Sequence, residues 1–145
     1  PDAVAALSKA LGVDLPVKPK TSASKGSRTV FWLGPDEWLV IDEPGRDLVA
    51  ECAKAKVLYS ATDVSERNTA IMVSGANAEA TLSAGCPQNL TDKAFPVGAV
   101  SRTLIGKSEV VIYRTGAQAF RVECWRSFSD YVFTYLSDAG RDSVA

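Results

Sequence analysis

Seven residues, DVSERNT at positions 63–69, hold the densest run of groups able to move a proton or grip an anion. Asp63 and Glu66 could serve as acid and base, with Arg67 lowering the pKa of one of them. A salt-bridged junction between two lobes is the competing reading, and it is favoured. Arg102, Arg114, Arg121 and Arg126 could each hold a carboxylate or phosphate bidentately, but they fall on three different elements. Asp63, Arg67, Arg102 and Arg126 are the candidate cofactor-binding cluster; no residue is assigned a catalytic role. A second stretch, WLGPDEWLV at 32–40, sets Asp36 and Glu37 between Trp32 and Trp38. These acids are most economically turn residues.

Other chemistry is excluded by residue type. The 145 residues include no histidine, which removes Ser-His-Asp and Cys-His arrangements and histidine metal sites from this chain acting alone. Cys52, Cys86 and Cys124 are far apart, so they read as reduced, buried thiols rather than a metal or redox pair. Neither GxGxxG nor GxxxxGK[ST] occurs. Asn89-Leu90-Thr91 matches a glycosylation sequon and is read as a chance match. A net charge of −1 argues against nucleic acid, and no apolar run approaches the roughly 20 residues of a membrane span. With no signal peptide, the expected location is the cytoplasm.

The elements that must position these groups read as α+β. Asp2 is a plausible helix cap, and Val4, Leu7 and Leu11 share a face before Gly12. Residues 13–28 look like an exposed linker, with Lys18, Lys20, Lys25 and Arg28 solvated. TVFWL and WLVI flank a Gly-Pro-Asp-Glu turn. Pairing Leu33 with Trp38 and Trp32 with Leu39 would send the two indoles to opposite faces of the sheet. A short helix around Leu48, Val49 and Cys52 and a strand in VLYSATDV complete a first lobe, residues 1–66. With one more strand in front, the order becomes βαββαβ, so the chain starting at Pro1 is expected to lack that strand. The second lobe, 67–145, repeats the theme: a strand in TAIMV, a helix capped at Ser74, three strands, and a helix capped at Ser127. The strand QAFRVEC should be exposed on one face. Phe128, Tyr131, Val132, Tyr135 and Leu136 stripe the last helix, which Gly140 should close. The expectation is two related ferredoxin-like (split βαβ) lobes with antiparallel sheets, together one compact unit.

WLGPDEWLV, DVSERNTAIMVSG, AGCPQNL with FPVGAVSRTLIGKSEVVIYR, and RSFSDYVFTYL occur in this order between about residues 28 and 138. Together they resemble the gamma subunit of heterotetrameric sarcosine oxidase. The resemblance implies an assembly that oxidatively demethylates sarcosine to glycine, passing the one-carbon unit to tetrahydrofolate or releasing formaldehyde. It implies alpha, beta and delta subunits as partners, carrying FAD, FMN, NAD, zinc and tetrahydrofolate, with no cofactor in this chain. It also implies likeness to the folate-binding domain of aminomethyltransferases. A structural subunit docked by apolar and aromatic surface is therefore expected. The alternative is an independent folate-binding, aminomethyltransferase-like domain.

Overall fold

In a computed structural model, residues 3–144 are described, and the chain divides into two units, 1–64 and 65–145. Both are mixed α/β with antiparallel sheet. The expected cap at Asp2 lies outside the described residues.

The first unit begins with α1 (Ala3–Leu11), which Gly12 ends at φ +69°, a left-handed conformation that glycine adopts without steric cost. Three strands follow as a meander: β1 (Ser22–Lys25), β2 (Arg28–Gly34) and β3 (Glu37–Ile41). α2 (Leu48–Cys52) is capped by the Asp47 carboxylate, which accepts from the Ala50 N–H at 2.9 Å. Leu11, Val13, Leu15, Val30 and Cys52 form the core, with Val4, Leu7, Trp38 and Val40 packed against it.

Three expectations fail in this unit. The 13–28 linker contains strand β1 and two core residues, Val13 and Leu15, because the solvated prolines and lysines there alternate with apolar anchors. VLYSATDV is irregular: its side chains suit a strand, but no neighbouring strand pairs with it, and Leu58 is exposed. The tryptophans pair directly, Trp32 with Trp38, and so share a face with the Val30–Val40 pair. Gly34 does pair with Glu37 across the turn, but Leu33 is an extra residue that shifts the register, and one bulged residue reverses side-chain parity.

The second unit contains β4 (Asn68–Ser74), α3 (Ala78–Ser83), β5 (Val100–Ile105), β6 (Ser108–Gly116), β7 (Ala119–Trp125) and α4 (Ser129–Asp142). Its sheet order is β4-β7-β6-β5, antiparallel throughout. Neither sheet is a split βαβ unit. That arrangement needs two parallel strands joined through a helix, whereas β4 and β5, joined through α3, run antiparallel at opposite edges. Phe120, Val122 and Cys124 of β7 face the core with Val110, Ile112, Leu82, Val132 and Leu136. The other face of β7 is less open than expected, since Glu123 is buried against Arg121 at 2.6 Å.

The last helix starts one residue later than its Ser127 cap implied, with Phe128 at the cap position after a 3-10 turn at Arg126–Phe128. Likewise, α3 starts from Asn77 rather than Ser74. Gly140 continues α4 instead of closing it; a methyl group there would meet Thr81 at 3.8 Å. Tyr135 donates to the Ala84 carbonyl (3.1 Å), and the Tyr131 hydroxyl accepts from the Lys107 N–H (3.1 Å). The Tyr135 ring lies over Gly85 so closely that a Cβ there would sit 2.5 Å from its Cε1. Gly85→Ala is expected to cost about 2 kcal/mol by overpacking. Most of that loss should vanish in a Tyr135→Leu background, as urea unfolding of the two pairs will show.

Candidate functional site

The polar residues flagged in the sequence divide by the strands that carry them. Arg67 precedes β4 and Arg126 follows β7, neighbouring strands, so the two meet: the Arg126 N–H donates to the Arg67 carbonyl at 2.7 Å. Arg126 also pairs with Glu66 at 2.9 Å, and the Arg67 guanidinium lies 5.0 Å above the Trp125 ring. Arg102 stands on β5, at the opposite edge of the sheet. Three strand spacings separate β4 from β5, roughly 14 Å at about 4.8 Å each. Arg102 therefore does not join Arg67 and Arg126 in one cradle. Asp63 belongs to the first unit.

Glu66, Arg67 and Arg126 make an exposed pair and a cation–π contact, both surface interactions of small energy. Glu66 and Arg126 both lie in the second unit, so their ion pair is internal to it and is not a junction between lobes. Asn89 uses its side-chain oxygen to accept from the Thr91 N–H (3.0 Å) and hydroxyl (2.7 Å), a local turn device.

Two arginines are used internally, and sequence reasoning misplaced both. Arg114, only 3% exposed, donates to the carbonyls of Leu90 (3.0 Å), Phe95 (3.0 Å) and Ala117 (2.6 Å). It thereby fixes the connection between α3 and β5 to the sheet. Its guanidinium also lies 5.0 Å from the Phe120 ring centre.

Arg28, read as a solvated linker charge, is 8% exposed. It pairs with Asp42 (2.8 Å) and Glu51 (2.7 Å) and donates to the Leu11 carbonyl, joining α1, β2, the end of β3 and α2. Hydrogen bonds from the Ser27 hydroxyl and the Glu43 N–H, with Arg28 adding to them, hold Asp42 down to about 2. The signal was available in strand parity: Arg28 is in phase with Val30, and Arg114 with Val110 and Ile112.

The cysteines give no reactive centre. Burial pushes the Cys52 and Cys124 thiols up, away from the nucleophilic thiolate. No three His, Cys, Asp or Glu side chains gather as metal donors among the described residues.

The sarcosine oxidase, gamma subunit family matches residues 1–142. The chain belongs to that family. Similar gamma-subunit relatives include those of Corynebacterium sp. (strain P-1), 34% identical over 142 residues, and Arthrobacter sp., 34% identical over 139 residues. Each alignment covers 93% of this chain and 68% of the relative. A chain of the heterotetrameric sarcosine oxidase from Corynebacterium sp. U-96, solved with pyrrole 2-carboxylate, superposes with a TM-score of 0.93 at 30% identity. The match covers all of this chain and 76% of that one.

In this member of the gamma-subunit family, the buried arginines thus serve the fold. Its sequence lacks the glycine patterns of the common nucleotide-binding loops. No helix among the described residues is long and apolar enough to cross a membrane.

Proposed function

We propose that this chain is a non-catalytic structural subunit of a heterotetrameric sarcosine oxidase. The assembly demethylates sarcosine oxidatively to glycine, with the one-carbon unit passed to tetrahydrofolate or released as formaldehyde. The alpha, beta and delta subunits are its partners in the cytoplasm and hold the FAD, FMN, NAD, zinc and tetrahydrofolate. The observation that carries this reading is the full-length superposition on a chain of a heterotetrameric enzyme. The side-chain chemistry agrees: Arg28 and Arg114 are committed to internal bonds, and Arg102 is remote from Arg67 and Arg126.

Likeness to the aminomethyltransferase folate-binding domain belongs to the same reading, as the ancestry of two related lobes, 1–66 and 67–145. Asp63, Arg67, Arg102 and Arg126 are not a ligand set in it.

Co-expression with the other subunits tests the proposal. The chain should elute with the flavoprotein subunits in equal proportion, and omitting it should lower the yield of assembled enzyme. Arg67→Ala, Arg102→Ala and Arg126→Ala should each leave sarcosine turnover within about twofold of the parent, since exposed substitutions have small effects. Elution of the chain alone, while its neighbours assemble and turn over at the full rate, would overturn the reading.

A further inference from the structure

Where β4 starts and β7 stops, the sheet of the second unit ends in an exposed patch of rings and guanidinium groups. Trp125 and Phe128 are 44% and 45% exposed, with ring centres 6.0 Å apart. The Arg67 guanidinium lies 5.0 Å from the centre of the Trp125 ring, and Arg126 pairs with Glu66 beside it. Tryptophan and arginine are the side chains that most often carry the binding energy of protein interfaces, and rigid rings lose little entropy when they are covered.

The patch is ordered before any contact is made. Asn68 of β4 and Trp125 of β7 are partners in the sheet, and the Arg126 N–H donates to the Arg67 carbonyl at 2.7 Å. The Ser129 hydroxyl donates to the Arg126 carbonyl at 2.8 Å, and Arg67 Nε donates to the Asn68 side-chain oxygen at 3.2 Å. A partner that docks here therefore orders little of this chain. Glu66 answers only one of the two arginines. Among the described residues no carboxylate pairs with Arg67, so Arg67, Arg126 and Glu66 together leave one positive charge beside the two rings.

We infer that this patch docks another subunit of the oxidase through a carboxylate set beside apolar surface. The carboxylate meets the terminal nitrogens of Arg67, and the apolar surface covers Trp125 and Phe128. Charge complementarity selects that chemistry: a neutral surface would strip Arg67 of water and return no counter-charge. A second copy of this chain fits less well. Meeting patch to patch, as a two-fold dimer requires, it would set like net charges together. Meeting elsewhere, it would make a head-to-tail contact, which builds rings or filaments rather than a closed pair. The inference rests on the subunit reading and names the surface which that reading uses.

The test is co-purification of the full chain with the other subunits, comparing Arg67→Glu, Arg67→Lys and Trp125→Ser with Leu104→Ser. Leu104 is similarly exposed, at 43%, but stands on β5 at the far edge of the sheet. All three positions are on the surface, so each variant should fold, as circular dichroism will verify. Arg67→Glu and Trp125→Ser should weaken assembly by about tenfold or more, and Leu104→Ser should match the parent. Arg67→Lys keeps the charge without the planar fork and should lose less than Arg67→Glu. Acrylamide quenching of Trp125, taken as the parent signal less that of Trp125→Phe, should show an open indole in the isolated chain and a shielded one in the assembly. If the parent assembles and both Arg67→Glu and Trp125→Ser bind equally well, the docking inference fails while the subunit reading stands. If only Trp125→Ser weakens assembly, the occupant brings no carboxylate and the inference is overturned. It is also overturned if the isolated chain self-associates through Trp125, or if the indole is already shielded there by a segment of the same chain. If the parent does not assemble, the subunit reading falls with it.

Discussion

Arg114→Met is expected to remove about 4 kcal/mol from the stability of the second unit. The guanidinium serves the buried carbonyls of Leu90 and Phe95 and also that of Ala117. Methionine fills part of the volume but donates nothing, so these acceptors lose their partners. An acceptor left unpaired in a buried place costs about 1–3 kcal/mol. The Leu90 and Phe95 bonds dominate because both are buried, and both side chains anchor the core. A unit of this size is stabilised by only about 5–10 kcal/mol, so the variant should keep only about 1–6 kcal/mol of it. Arg114→Lys keeps the charge without the planar fork and should recover less than half the loss. Urea unfolding with hydrogen exchange at the β6 and β7 amides measures both; a loss below about 1 kcal/mol for the methionine variant would refute the account.

Arg28→Met is expected to cost the first unit about 3 kcal/mol, because it leaves Asp42 and Glu51 without their shared cation. Replacing the whole group, Arg28→Met with Asp42→Asn and Glu51→Gln, should be milder than the single change, since no charge then remains to be compensated. The same group sets an acid limit. Asp42 titrates at about 2 instead of 3.8, so its contribution is complete above about pH 4 and is lost as the pH falls toward 2. Glu51 is lowered too, with the Arg28 hydrogen bond as the main cause, and acts in the same direction. Ser27→Ala removes the largest influence on Asp42 and should narrow that window by raising its pKa. Acid titration of unfolding, parent against Ser27→Ala, checks the sign; an unchanged profile would sink the assignment.

Much of the fold was legible where local pattern and tertiary environment agree. α1, the β2–β3 hairpin, the strands β4 to β7 and α4 all follow from apolar periodicity bounded by glycine and proline. Errors arose where a single residue changes a count or a partner is missing. Leu33 adds one residue to β2, and that alone moved Trp32 and Trp38 onto one face. VLYSATDV has strand-forming side chains, but a strand exists only through a ladder, and no strand offers one. The linker around Arg28 looked solvated because lysine and proline dominate its composition.

The residue types alone determined that this chain has no histidine chemistry and no nucleotide loop. The ordered motifs determined its family. Only the tertiary structure decided which charges are interior. Arg28 and Arg114 find their carboxylates and carbonyls on segments remote in sequence, and no local pattern encodes those distances. Only the tertiary structure separated Arg102 from Arg67 and Arg126, because strand order, not strand sequence, sets which side chains meet. It likewise left β4 at an edge, a property of pairing that seven uncharged residues could not announce by themselves.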